Sequence, residues 1–336
     1  MDQLVAENLY KTYHTKEKAG FLKPKKRRVV EAVRGISMTI PKGRIIGLLG
    51  VNGAGKTTTI RMLCSMVSPT SGSIRIDGVD GVKNSLQVKG RLNMITGGER
   101  NLYWRLTARE NLAYFGRLYG LSGAELKRRS QTLLDMVGLT EAADLPVERY
   151  SKGMKQRLQI ARGLINDPAY LFLDEPTLGL DVLIAKEMRQ YIAGLAAEQH
   201  KGLLLTTHYI SEAEALCDYI YVLDKGLIIA EGTKAELTRL FRSTNALSVS
   251  LPEIGPELRQ KLADLAQDQA ELRFSPDGQG GLELRIVGDS RCWPSLLKAI
   301  GDAGLAVEHL RSNEPDLEQA LLSIIGDSRH NGGPRI

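Results

Sequence analysis

Cysteine is scarce in this chain of 336 residues, and its three copies are scattered. Cys64, Cys217 and Cys292 are odd in number, and none forms a C-x-x-C pair or lies near a histidine at metal-ligand spacing. This pattern indicates reduced thiols, and we expect them to be buried and inert.

Long apolar runs are missing as well. No stretch of about 18 apolar residues occurs, so the sequence predicts no membrane span. The first residues, MDQLVAENLYK, carry an acid at position 2 and no apolar core, so we expect no secretory signal here. We therefore expect a cytosolic protein.

Positive charge is concentrated in one place. The formal net charge is +6, and the run KPKKRR at 23–28 supplies most of it. A nucleic-acid-binding protein would usually show a broader basic face with aromatic partners, so we expect no nucleic-acid partner. The run is predicted to be a solvated hairpin tip; the alternative is contact with anionic lipid or an acidic partner loop.

The first 240 residues alternate short apolar segments with helical patterns, which predicts a mainly parallel α/β core. The predicted strands are 3–13, 29–40, 44–49, 73–77, 169–173, 202–207, 219–223 and 227–230, and the predicted helices are 57–66, several within 100–165, and 182–198. S/T-x-x-E patterns at Thr107, Ser122 and Ser211 predict capping boxes that open helices.

The remaining residues differ in character, and the length allows two domains. The predicted strands are 246–251, 270–274, 282–287 and 305–311, and the predicted helices are 256–267, 290–303 and 315–325. This order predicts a small α+β domain over 241–326 that resembles a ferredoxin-like fold. A hairpin turn is predicted at 275–281, and the polar tail 327–336 is predicted to be disordered.

A phosphate-binding pattern stands in the segment GLLGVNGAGKTTTIRML, residues 47–63. Gly50, Gly55, Lys56 and Thr57 fit G-x-x-x-x-G-K-[ST], between a predicted buried strand and a predicted helix. Backbone N–H groups of such a loop surround phosphate oxygens, Lys56 would reach the β- and γ-phosphates, and the Thr57 hydroxyl would bind Mg²⁺. The candidate nucleotide-binding residues here are Gly50, Asn52, Gly53, Ala54, Gly55, Lys56, Thr57 and Thr58.

Two carboxylates follow a second apolar strand, in AYLFLDE at 169–175. Asp174 would hold Mg²⁺, and Glu175 would polarise the attacking water as a general base. Three further elements stand nearby in the sequence: YSKGMKQRL at 150–158, TLGLD at 177–181, and His208 just after the strand 202–207.

These five motifs occur in the order found in ABC transporters, and residues 1–240 resemble their nucleotide-binding domain. YSKGMKQ is similar to the family signature LSGGQ, with Ser151 and Gly153 at the matching positions. TLGLD matches the D-loop through Asp181, and His208 matches the switch histidine that contacts the γ-phosphate. The resemblance implies a P-loop NTPase fold of the ABC type, with an antiparallel β subdomain and a helical subdomain at about 100–165.

The resemblance also implies ATP and Mg²⁺ as ligands and a homodimer that clamps two ATP molecules. The signature helix of one subunit would cap the γ-phosphate held by the other subunit's P-loop, with Ser151 as a helix cap facing an anion. Tyr13 resembles the aromatic residue that stacks on adenine; a packed tyrosine at a strand end is the alternative, and Tyr10 could replace it.

The sequence departs from the family pattern in two places. Lys152 and Met154 replace residues of the signature. The glutamine expected to help bind Mg²⁺ is replaced by Gly98, with Glu99 next to it. Either water or Glu99 would then fill that position, since Mg²⁺ normally keeps several waters, or hydrolysis would be slow. We therefore still expect an active ATPase.

Leu102, Tyr103 and Trp104 form an apolar cluster beside this position, so Glu99–Trp104 is a candidate docking site for a permease; core packing is the alternative. YSKGMKQRL and the ending EPDLEQALLSIIG at 314–326 resemble the exporter branch that works with ABC-2-type permeases. The resemblance implies a peripheral protein at the cytoplasmic face of the membrane. A soluble ABC ATPase that regulates or confers resistance without a permease is the alternative function.

Overall fold

The structure is a computed structural model, and it describes residues 2–16, 27–96, 101–239, 246–276, 281–305, 307 and 309–313. The described residues form two compact units, of which the first ends at Glu231 and the second begins at Gly232. Several predictions fall on residues outside this description: the basic side chains of 23–28, Gly98 and Glu99, the hairpin tip 277–280, the helix 315–325 and the tail 327–336.

In the described residues the strands are β1 (Gln3–Lys16), β2 (Arg27–Pro41), β3 (Ile45–Gly50), β4 (Ser71–Ile76), β5 (Val79–Asp80), β6 (Leu92–Thr96), β7 (Tyr170–Asp174), β8 (Gly202–Thr207), β9 (Tyr219–Asp224), β10 (Leu227–Gly232), β11 (Ala246–Leu251), β12 (Ala270–Pro276), β13 (Leu282–Gly288) and β14 (His309–Asn313). The helices are α1 (Lys56–Leu63), α2 (Ser85–Lys89), α3 (Ala108–Leu118), α4 (Gly123–Met136), α5 (Lys152–Gly163), α6 (Val182–Ala197), α7 (Ile210–Leu216), α8 (Lys234–Arg239), α9 (Pro256–Ala266) and α10 (Trp293–Asp302).

The first unit is built on a six-stranded sheet of order β10-β9-β3-β8-β7-β6. The pairs that join β9, β3, β8, β7 and β6 are parallel, as the alternation of strands and helices predicts. Every residue of β3 and β8 is buried, which is typical of parallel strands covered on both faces. The predicted α/β core is confirmed.

Two layers cover the faces of this sheet. Residues Ile46, Leu48 and Phe172 share a buried cluster with the antiparallel sheet β2-β1-β4-β5. Alternate residues of the same strands, such as Leu171 and Leu173, pack with the helical region α3–α5. Since side chains alternate across a strand, each strand contributes to both cores.

One predicted capping box is confirmed and two are wrong. Thr107 caps α3 and Glu110 completes the box. Ser122 precedes α4 but makes no capping hydrogen bond, because Gly123 has a φ of +57° and the first turn departs from helical geometry. Ser211 lies inside α7, which begins at Ile210, because the cap position falls on Tyr209 directly after the turn that leaves β8.

The second unit has the order β11-α9-β12-β13-α10-β14, in an antiparallel sheet of spatial order β12-β13-β11-β14. This is the predicted ferredoxin-like arrangement. Its last strand begins at His309 rather than near residue 305, because α10 is followed by a turn through Gly304 with φ of +71°.

The cysteines fit an inert role. Cys64 and Cys292 are buried and Cys217 is partly buried. Burial raises the pKa of all three thiols, which keeps them protonated and unreactive. In the part of the chain that is described, no helix is both long and apolar enough to cross a bilayer.

Candidate active site

The P-loop connects β3 to α1 and exposes backbone to a cavity. Gly55 caps α1 with φ of +108° and no side-chain hydrogen bond; a Cβ there would lie 2.5 Å from the carbonyl oxygen of Ala32. Gly53 has φ of +85° and open space where a side chain would stand. The loop therefore requires glycine and leaves the N–H groups of α1 open to an anion.

Lys56 is buried at the first position of α1, with 6% of its surface exposed. Its Nζ donates to the carbonyl oxygens of Gly50 at 2.5 Å and Val51 at 3.3 Å. Burial lowers the pKa of Lys56, while the nearby carboxylates of Glu175 and Asp174 raise it in part. An anion with more negative charge than a carbonyl oxygen would stabilise this ammonium.

A cavity of about 420 Å³ lies over the P-loop. Its lining includes the loop itself and Glu175, and also residues that the sequence analysis missed: Val30, Glu31, Ala32, Arg34 and Lys225. Backbone hydrogen bonds explain their presence, because Arg34 N–H donates to Gly226 and Gly226 N–H donates to Ala54. No local pattern in the sequence signals these contacts between distant segments.

Tyr13 is not among the residues that line this cavity. It pairs in the β1–β2 hairpin with Val30, which does line it, and Lys11 Nζ lies 5.3 Å from the centre of its ring. Tyr10, the predicted substitute, packs its hydroxyl against Gly35. The structure thus brings the partner strand, and not the tyrosine ring, to the cavity.

Thr57 and Asp174 come together as predicted. Thr57 Oγ1 lies 3.4 Å from Asp174 Oδ2, and Thr206 Oγ1 donates to Asp174 Oδ1 at 2.5 Å. A hydroxyl and a carboxylate are hard oxygen ligands that suit Mg²⁺, which takes few protein ligands and keeps waters and phosphate oxygens. The two side chains fit a magnesium ion at this position.

Glu175 and His208 are also in contact. His208 Nδ1 lies 3.0 Å from Glu175 Oε1, because β7 and β8 are parallel neighbours that end at the same edge. Glu175 has φ of +52°, and its N–H donates to the carbonyl oxygen of Thr206 at 3.0 Å. This unusual backbone turns the carboxylate into the cavity that the P-loop lines.

The signature and D-loop residues lie outside this cavity. Ser151 caps α5 by accepting from Met154 N–H at 3.2 Å, and Asp181 caps α6 by accepting from Ile184 N–H at 2.9 Å. Gly153 is buried against Ile184: a Cβ added at Gly153 would lie 3.1 Å from Cγ2 of Ile184. Within one chain, therefore, the predicted phosphate-binding residues fall into two separate groups.

The cluster 102–104 is divided between core and surface. Leu102 is buried, whereas Tyr103 and Trp104 expose about half of their surface (47% and 48%). The Tyr103 ring makes an edge contact with Tyr114, with centroids 4.8 Å apart, and Lys155 Nζ lies over Trp104 at 4.8 Å. Leu102 therefore packs in the core, as the alternative predicts, while permease docking at Tyr103 and Trp104 stays a prediction.

Comparisons with known proteins agree with this geometry. The ABC transporter family profile matches residues 33–178. The chain is 45% identical to the ABC transporter ATP-binding protein NatA of Bacillus subtilis, over 65% of this chain and 88% of that protein. It is 33% identical to the linearmycin resistance ATP-binding protein LnrL of Bacillus subtilis, over 96% of this chain and 98% of that protein.

A solved structure with the same fold is the dimeric ATP-binding cassette MJ0796 in a post-hydrolysis state bound to ADP and Pi. It is 26% identical, with a TM-score of 0.59, and the match covers 68% of this chain and 98% of that one. Since one relative matches nearly end to end and the P-loop lies at one site with Asp174, Glu175 and His208, the chain belongs to the ABC transporter family as an ATP-binding subunit, an ATPase of the branch that includes drug-resistance ATP-binding proteins.

Proposed function

We propose that this chain is the motor subunit of an exporter, in which two copies close around two Mg-ATP molecules and power a separate ABC-2-type permease. One observation carries the proposal: each chain has a complete P-loop and a general base at one cavity, while its signature residues Ser151 and Gly153 lie elsewhere. Two chains, and not one, would complete such a site.

Nucleotide binding depends on the P-loop backbone and Lys56. The N–H groups at the start of α1 and the helix dipole bind the phosphates. Lys56 exchanges its contacts with the Gly50 and Val51 carbonyls for phosphate oxygens. Thr57 and Asp174 would hold Mg²⁺, which when bound neutralises charge on the β- and γ-phosphates.

Hydrolysis depends on Glu175 and His208. The Glu175 carboxylate takes a proton from the attacking water, whose oxygen bonds to the γ-phosphorus as the bond to the bridging oxygen of ADP breaks. His208 holds the carboxylate through Nδ1, and in the form with hydrogen on both ring nitrogens Nε2 also donates to the γ-phosphate. The left-handed backbone of Glu175 fixes the direction of the base.

Dimerisation depends on α5 and the start of α6. Ser151 accepts one hydrogen bond through Oγ, so its hydroxyl hydrogen can still be donated to the partner's γ-phosphate. Val182 and Leu183, just after Asp181, expose 85% and 67% of their surface. Apolar residues so exposed at the edge of a phosphate-binding motif support an interface with a second copy. Loss of the γ-phosphate removes the shared ligand and loosens the dimer.

The permease would dock at the exposed rings of Tyr103 and Trp104. Tyrosine and tryptophan side chains are typical anchors of protein interfaces, and these two are half exposed in the loop before α3. Such docking places the chain at the cytoplasmic face of the membrane as a peripheral subunit.

The test is a mild-detergent pull-down of the tagged chain from its host's membranes, followed by mass spectrometry and an ATPase assay of the complex. We expect a polytopic membrane protein in stoichiometric amount and phosphate release that Glu175→Gln abolishes. A chain that dimerises with ATP but brings no membrane protein would replace the exporter by a soluble regulator. Phosphate release no faster than that of Glu175→Gln would refute the motor role.

A further inference from the structure

We propose that Lys152 is a positioning residue that ties the signature helix α5 to the loop that follows the general base Glu175 in the same subunit. The proposal rests on the motor function above and concerns how its site is held in place. Lys152 stands where the signature LSGGQ has glycine, so the link does not follow from that motif.

Two side chains of α5 hold the D-loop, residues 176–181. Lys152 Nζ donates to the carbonyl oxygen of Gly179. Gln156, which is 7% exposed, donates from Nε2 to the carbonyl oxygen of Pro176 at 2.8 Å. Positions i and i+4 of a helix lie on one face, so both side chains reach the same loop. Gln156 holds its start and Lys152 its middle.

The D-loop is continuous with Glu175 through two hydrogen-bonded turns. The N–H of Leu178 donates to the carbonyl oxygen of Glu175 at 3.2 Å, and that of Leu180 donates to Thr177 at 3.1 Å. A shift of the Gly179 carbonyl therefore moves the turn that begins at Glu175. Glu175 has φ of +52°, a backbone conformation that residues other than glycine rarely adopt. The geometry of Glu175 therefore depends on neighbouring residues that hold its backbone.

The absence of a side chain at Gly179 leaves room for the Lys152 ammonium. The φ of Gly179 is +70°, and a Cβ at this position would collide with Lys152 Nζ. The ammonium thus occupies the space that a side chain at 179 would fill. A hydrogen bond from a charged donor is stronger than a neutral one, which suits a link made at an exposed position.

The experiment compares Lys152→Met, Lys152→Arg and a control, Lys186→Met, in the full chain with its permease. The side chain of Lys186 is exposed on α6 and makes no hydrogen bond or ion pair with described residues. For Lys152→Met we expect kcat to fall about five- to tenfold with KM for ATP within about twofold, because the base is displaced while ATP binding is kept. Lys152→Arg should recover most of the rate, and Lys186→Met should match the wild type.

Two further readouts separate positioning from nucleotide contact. Hydrogen exchange at the Leu178 and Leu180 amides should speed up in Lys152→Met and not in Lys186→Met. ATP-driven dimerisation, measured by light scattering in the Glu175→Gln background, should be unchanged by Lys152→Met.

Loss of that dimer, or a raised KM with unchanged kcat, would show that the ammonium contacts nucleotide across the interface and would overturn the proposal. Unchanged exchange at both amides would overturn it as well. If the wild-type chain itself neither dimerises with ATP nor hydrolyses it, the motor function fails, and the exchange comparison still decides the Lys152 link.

Discussion

His208 Nδ1 lies 3.0 Å from Glu175 Oε1, which joins residues that follow two neighbouring strands. β7 and β8 pair in parallel with Asp174 opposite Thr206, so the residues just beyond them meet at one edge of the sheet. With a hydrogen on Nδ1, the ring of His208 donates to the carboxylate and fixes its orientation. The base and the histidine act as a unit in the proposed chemistry.

Glu175→Gln replaces the general base with a side chain of nearly the same shape that cannot accept the proton. We expect kcat for ATP hydrolysis to fall by about 10²–10⁴-fold, while ATP binding persists and the ATP-bound dimer lives longer. Phosphate release and light scattering measure the two effects. A variant that retains the wild-type rate would assign the base to another group.

Lys56→Met is expected to abolish ATP binding and yet stabilise the fold. Methionine fills the buried site without a charge. Burial of the Lys56 ammonium without full hydrogen-bond compensation costs about 1 kcal/mol or more of the free energy of unfolding, and the variant removes this cost. Urea unfolding without nucleotide measures the free energy of unfolding, and ATP titration measures binding. A less stable variant would mean that the bonds to Gly50 and Val51 outweigh the burial.

Burial of Lys56 also predicts how the free energy of unfolding depends on pH. Burial lowers the pKa of Lys56 from its ordinary 10.5, so the folded chain releases this proton at lower pH than the unfolded chain does. Between the lowered pKa and 10.5 the unfolded chain binds more protons, and the free energy of unfolding rises with pH. The difference in unfolding free energy between wild type and Lys56→Met should shrink across this window. A difference that stays constant up to pH 10.5 would contradict the shift.

Thr177→Val breaks a buried contact between the D-loop and α7. Thr177 Oγ1 donates to Glu212 Oε1 at 2.6 Å, and Glu212 Oε2 has no hydrogen-bond partner among the described residues. The variant leaves the whole carboxylate unpaired at a residue that is 3% exposed. We expect a loss of about 1–3 kcal/mol in the free energy of unfolding, measured by urea denaturation. Thr132→Val, at an exposed helix position, serves as the control and should change little.

Tyr103→Ala combined with Trp104→Ala tests the docking surface. Both rings are half exposed, so we expect loss of the permease complex by more than about tenfold in affinity with an unchanged unfolding midpoint. Leu86→Ala, which truncates an apolar side chain that is 85% exposed on α2, is the matched control. Retention of the complex in the double variant would place the permease elsewhere.

Much of the site could be predicted because its motifs are local. The P-loop needs glycines at fixed positions between a strand and a helix, and the pair Asp174 and Glu175 follows an apolar strand directly. The two failed capping boxes show the limit of such patterns. Ser122 and Ser211 have suitable spacing, but the backbone at Gly123 and Tyr209 decides whether a hydroxyl can cap.

The sequence by itself determined most of the strands, the P-loop and the position of the carboxylates Asp174 and Glu175, since short-range spacing and burial specify them. It did not predict β5 or β6. Only the tertiary structure decided which distant segments meet. It placed Val30 and Lys225 at the cavity in place of Tyr13, and it joined Lys152 to Gly179. These contacts depend on hairpin register and on the packing of α5 against the D-loop, and no local pattern of residues encodes a distance between segments far apart in the chain.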